Sequence, residues 1–189
     1  MRVIKVNVYK FDELSKWDVK EKVLEDFRND DSDIYGWDGE NQKTLEAFKE
    51  HFDFVDIKDW GYGFGSNYIH FCIDDDDIGE MDGYKFYKHL KENSYLTIKE
   101  LYKEGYKKLD DDCCLTGYCV DIDILEPILK LMKKPSIYKD TTAFEIIRKC
   151  LNNWVKCCKD NLEYAYSDEA ITELIESNDY EFTEKGELI

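Results

Sequence analysis

An α+β fold, a small antiparallel sheet packed with several helices and a helical C-terminal third, is expected from three features of the chain. Apolar residues recur at helical spacing through most of it, the period drops to two over 54–73, and residues 136–189 carry mainly amphipathic helical patterns. With 189 residues, 43% of them hydrophobic and 15% aromatic, the chain has material for one domain with a genuine core. That single domain, 1–189, divides into a mixed part over 1–135 and a mainly helical part over 136–189.

Arg2 to Tyr9 alternates polar and apolar side chains, the period of a half-buried strand. Ser15 stands where an N-cap would, and Trp17, Val19, Val23, Leu24 and Phe27 then recur at helical spacing up to the polar run Asn29 to Asp33. Leu45, Phe48 and Phe52 predict a second helix over 42–52. From Phe54 to Ile73 two extended segments flank Gly61, Gly63 and Gly65, which predicts a β-hairpin with a bend, bulge or close backbone approach. Asp74 to Asp77 ends it. Helices are predicted over 83–91 and 97–108, an extended run over 117–124, and a helix that starts at Pro127 and is stopped by Pro135. A long amphipathic helix follows over 141–164, Ser167 caps a last helix ending near Asn178, and Tyr180 to Thr183 reads as a short edge strand.

Charge narrows the partners. There are 43 acidic against 26 basic residues, a net charge of −17. On a folded surface such an excess repels nucleic acid and anionic membrane, and attracts basic protein grooves, including those that ordinarily hold nucleic acid. No run of roughly 18 apolar residues is present, and the alternating start differs from a secretory leader, so a cytoplasmic protein without a membrane role is expected. The odd count of seven cysteines fits reduced thiols.

The chemistry-bearing patterns are incomplete. Gly61 to Ser66 has the glycine density of a phosphate loop, yet no lysine follows it and a strand rather than a helix comes next. Asp31, Asp33 and Gly36 match three positions of a calcium loop whose fifth and twelfth places are Tyr35 and Gln42; the run from Asp74 fails in the same way at Ile78 and Lys85. Cys113, Cys114 and Cys119, with His70 and Cys72, lack the paired spacing of a zinc knuckle. His51, His70 and His89 sit in no nucleophilic constellation, and carboxylates are too abundant for any pair to stand out. No catalytic residue, metal or cofactor is expected on this reading.

What remains is an acidic, aromatic surface. Asp30, Asp31, Asp33, Asp74, Asp75, Asp76 and Asp77 fall in connecting segments, as do Asp110 to Asp112, beside Trp37, Tyr62, Tyr68 and Tyr84. Carboxylates spaced along loops imitate phosphates for a basic groove, and aromatic side chains supply anchor contacts. The expected partner is a protein with a basic groove, bound through Asp30, Asp31, Asp33 and Asp74 to Asp77 with Trp37, Trp60 and Tyr62 as anchors; a homo-oligomer stays open. The alternative is a nucleotide-signal binder or small enzyme using the hairpin 61–66, for which a buried cation such as Lys58 or Arg148 would supply the counter-charge.

Four segments, YKFDELS over 9–15, LTGYCVDIDILEP over 115–127, SDEAI over 167–171 and NDYEFTEKG over 178–186, resemble a family of small acidic proteins encoded by bacteriophages and prophages. The resemblance spans nearly the whole chain and brings no catalytic motif. It implies a viral accessory protein of the bacterial cytoplasm, a non-enzymatic inhibitor of a host defence or nucleic-acid-processing protein of restriction or CRISPR type, acting by acidic nucleic-acid mimicry.

Overall fold

The computed structural model describes residues 7–30, 32, 34, 36–93, 115–116 and 120–189. Within them the fold is α+β, with seven α-helices and one two-stranded antiparallel sheet. Contacts divide the chain into two compact units, Met1–Gly36 with Asn161–Ile189, and Trp37–Asp160. The boundary expected at 135/136 falls inside the second unit. No helix among the described residues is long and apolar enough to cross a membrane.

In the first unit, α1 (Trp17–Asn29) and α7 (Asp168–Ser177) bury Val23, Ile171 and Ile175 together with Phe11, Leu14 and Phe182. Ser15 does not cap α1: the cap residue is Lys16, in extended conformation, and no side-chain oxygen reaches the first turn. Ser167 does cap α7, its Oγ accepting from the Ala170 N–H at 3.2 Å. Arg28 donates to the Tyr166 carbonyl and pairs with Asp168, which ties the end of α1 to the start of α7. The predicted N-terminal strand lies mostly outside the described residues; Tyr9 and Phe182 form an isolated bridge with reciprocal backbone hydrogen bonds of 2.9 Å, and Phe182 also bridges Leu188. Gly186 has φ +77°, and a Cβ there would lie 2.8 Å from the Val23 side chain, so both conformation and space call for glycine.

The second unit is built from α2 (Asp38–His51), β1 (Val55–Gly61), β2 (Tyr68–Ile73), the single turn α3 (Asp76–Gly79), α4 (Gly83–Glu92), α5 (Val120–Lys133), a 3₁₀ turn at Pro135–Tyr138, and most of α6 (Ala143–Ala165). Leu45, Phe48 and Phe52 of the α2 region, Phe86 and Leu90 of α4, the apolar face of α5, and Ile146, Ile147, Leu151 and Trp154 of α6 form its core. The start of α2 precedes the expected Gln42 by a turn, after Trp37 in a left-handed conformation (φ 55°) that few bulky residues adopt. Gly83 opens α4 where a Cβ would stand 2.5 Å from the Tyr138 Cβ and 2.6 Å from its carbonyl oxygen.

Two readings between 117 and 134 are corrected. The run from Val120 is helical rather than extended: its β-branched alternation imitates a strand, but Val120, Ile124, Leu125, Ile128 and Leu131 bury one helical face. Pro127 therefore lies inside α5 and does not begin it. Its ring removes the N–H that would have served the Asp123 carbonyl, and Asn153 of α6 fills the vacancy, its Nδ2 donating to that oxygen at 3.2 Å. Pro135 does stop the helix, and the helix predicted over 97–108 lies outside the described residues.

Candidate functional site

The hairpin positions the candidate surface. β1 and β2 pair from Val55↔Ile73 to Gly61↔Tyr68, but the register slips between Ile57 and Asp59, leaving Lys58 as an extra residue in β1. The bulge resets alternation. Ile57 and Trp60, three residues apart, both pack on the core, together with Ile69 and Phe71 of β2. Without it, strict alternation from Ile57 would turn Asp59 inward and Trp60 out.

Trp60 and Tyr62, expected as exposed anchors, are thus half-buried. Their rings stack at 5.9 Å, and each meets the fully buried Trp154 edge-on, at 5.2 and 5.8 Å. The Tyr62 hydroxyl donates to Asp38 Oδ1 at 2.5 Å and accepts from Asn41 Nδ2 at 3.3 Å, while Trp154 Nε1 donates to the Asn41 carbonyl at 2.9 Å. Burial and the Asp38 carboxylate push the Tyr62 phenol well above its usual range.

Asp74, Asp75, Asp76 and Asp77 are all exposed, but they are not equivalent. The Asp74 N–H donates to the Phe54 carbonyl at 3.0 Å, closing the open end of the hairpin. Asp75 Oδ1 accepts from the Asp77 and Ile78 N–H groups and caps α3. Asp76 and Asp77 stand in the first turn of that helix with their carboxylates directed to solvent, and Glu80 follows its end. Among the described residues no lysine or arginine pairs with Asp76, Asp77 or Glu80.

Beside these carboxylates is an open groove of about 380 Å³ lined by Phe71, Cys72, Ile73, Asp76, Gly79, Glu80, Thr142 and Phe144. Its aromatic wall is a stacked pair: Phe71 and Phe144 have ring centroids 4.8 Å apart and planes inclined by 18°. Phe144, on the first turn of α6, is 37% exposed. The groove thus joins an apolar wall to two acidic side chains, with Asp77 next to them in sequence. In the sequence Phe144 is only one apolar position of the helical pattern over 141–164, and its partner Phe71 lies far away in the chain, so spacing alone does not pair them.

The other expected site residues are dispersed. Asp30 belongs to the first unit and ends α1, and Asp31 and Asp33 lie outside the described residues, as do Asp110 to Asp112 and Cys113, Cys114 and Cys119. Trp37 is the cap residue of α2, Tyr68 lies over Gly61, and Tyr84 carries the Lys88 ammonium 4.8 Å above its ring. His70 is exposed against Tyr68. The glycine loop offers a phosphate little: Phe64 is 62% exposed, the Gly63 N–H is already donated to Asn67 Oδ1, and the two cations proposed as counter-charges are exposed, Lys58 bound to Asp56 and Arg148 facing solvent. Lys58, then Lys49, hold the Asp56 carboxyl below the ordinary carboxylate range. Cys150 and Cys158 are core thiols, pushed up by burial away from reactivity.

Sequence reasoning missed one buried polar centre. Asp121 on α5 is fully buried; its Oδ2 accepts from the Leu115 and Thr116 N–H groups at 2.8 and 2.7 Å, and its Oδ1 from the Thr44 and Thr116 hydroxyls, each at 2.8 Å. The carboxylate ties 115–116 to α2, a structural clamp. No protein-family model matches the chain, and no curated protein or solved structure matches it either.

Proposed function

We propose that this is a non-enzymatic binding protein whose acidic–aromatic groove docks on a basic protein surface and blocks it. The observation that carries this reading is the pairing of the exposed carboxylates Asp76 and Glu80 with the Phe71–Phe144 wall in one groove, with Asp77 next to Asp76 in the first turn of α3. An arginine or lysine entering it would meet carboxylates at one side and an aromatic face at the other, ion pairing and cation–π attraction together. The net charge of −17 steers the approach and keeps nucleic acid away from the same surface.

The partner class comes from the sequence resemblance to bacteriophage accessory proteins: a host defence or nucleic-acid-processing protein, of restriction or CRISPR type, in the bacterial cytoplasm. Carboxylates in a row would stand where the partner's groove holds phosphates. The test is a pull-down from bacterial lysate with the wild-type protein and the triple variant Asp76→Lys/Asp77→Lys/Glu80→Lys, at low and high salt. A basic nucleic-acid-binding protein kept by the wild type, released by salt and lost by the variant is the expected result. Retention unchanged in the variant would remove this face from the account.

A further inference from the structure

We infer a divalent-metal site of the zinc class at the open end of the hairpin, formed by Asp56, Cys72 and Asp74. Asp56 and Cys72 are directly opposed in the antiparallel register, which sets both side chains on the face away from the core. Asp74 follows two residues after Cys72 and so shares that face, its backbone fixed by the hydrogen bond to Phe54. One ligand atom from each, a thiol sulfur and two carboxylate oxygens, lies within 4.8 Å of the others.

The spacing suits a small tetrahedral ion. Cys72 Sγ and Asp74 Oδ1 are 3.7 Å apart, against about 3.5 Å between sulfur and oxygen ligands of one tetrahedral zinc. A thiolate beside two carboxylates favours zinc and cobalt over calcium and magnesium, which take oxygen ligands in larger numbers. Three protein ligands leave a fourth position for water or for a partner's side chain. Cys72 also lines the acidic–aromatic groove, so the site adjoins it.

Lys49 and Lys58 set the terms of binding. Both pair with Asp56, Lys49 at 3.2 Å and Lys58 through the other oxygen. Both are more than half exposed, so each ammonium can leave the carboxylate for solvent. On binding, the Cys72 thiol gives its proton to solvent and the sulfur bonds the metal, while the ion takes the place of lysine at Asp56. The lysines are therefore competitors of the metal, a property that a merely structural ion-pair cluster does not have.

The test is titration of the reduced full-length protein with cobalt(II), followed by displacement with zinc(II). Expected are a thiolate-to-cobalt charge-transfer band saturating at one equivalent and bleached by zinc, loss of the band in Cys72→Ser, and affinity weaker on the order of tenfold or more in Asp74→Asn. Lys58→Met should bind more tightly than wild type. Asp74→Asn and Lys58→Met change exposed side chains, so they read the site even if Cys72→Ser folds poorly. Absence of a cobalt–thiolate band in the wild type, a band unchanged in Asp74→Asn, weaker binding by Lys58→Met, or preference for calcium or magnesium over zinc would each overturn the assignment.

Discussion

Replacing Asp121 by alanine removes the acceptor of four hydrogen bonds among the described residues, and the geometry says how much of that loss can be repaired. The Thr44 and Thr116 hydroxyl oxygens already lie 3.2 Å apart and can bond to each other once the carboxylate is gone. The Leu115 and Thr116 N–H groups are both directed at Oδ2 and lose that acceptor. Each donor that loses its acceptor costs about 1–3 kcal/mol, so Asp121→Ala should lose about 2–6 kcal/mol, a large part of the stability of a domain this size. Asp121→Asn keeps the volume but turns an N–H₂ group toward one pair of donors, and should lose nearly as much. Urea unfolding followed by far-UV circular dichroism measures both, with the midpoint falling at unchanged slope. A loss below about 0.5 kcal/mol in Asp121→Ala would refute the view that this carboxylate clamps 115–116 to α2.

Gly83→Ala gains helix propensity of about 1 kcal/mol, but its Cβ meets Tyr138 backbone and Cβ atoms that cannot swing aside, and overpacking of about 1–3 kcal/mol wins; a lowered thermal midpoint is the expected reading, and a raised one would contradict it. Ser167→Ala removes the cap of α7 and should cost about 1 kcal/mol in the same urea assay, with Ser167→Asp restoring it. Burial lowers the His51 imidazole below its ordinary value. The folded state therefore binds the proton less readily than the unfolded chain, and His51 adds stability that is complete above the unfolded value near 6.5 and is lost as pH falls through the lower folded value. Urea midpoints at about pH 7.5 and about pH 5.5 should differ less in His51→Gln than in the wild type.

Where the sequence read well, a local signal and the tertiary outcome coincided. The Ser167 cap, the long helix through Leu151 and Trp154, and the hairpin around the glycines are all decided within a few residues. The failures share a cause, namely side chains whose environment is set by distant residues. Val120 to Ile124 alternates like a strand, but α5 continues because its apolar face buries against the core and Asn153, thirty residues from Asp123, satisfies the carbonyl that Pro127 leaves without its helical donor. Trp60 reads as an anchor because it is aromatic and close to acidic loops; a bulge at Lys58 that no residue pattern announces turns it inward. The acidic half of the candidate groove, Asp74 to Asp77, was visible as composition, whereas its aromatic half needs Phe71 and Phe144 to meet across the fold.

An acidic–aromatic groove that occupies a partner's basic surface competes with the nucleic acid held there. The partner captured by the wild-type protein, loaded with its labelled nucleic acid, is titrated with the wild type and with Asp76→Lys/Asp77→Lys/Glu80→Lys across a series of salt concentrations. Displacement of the nucleic acid by the wild type, weakening as salt rises, is expected, with displacement weaker on the order of tenfold or more by the variant. A ternary complex that keeps its nucleic acid, or equal displacement by both proteins, would contradict it.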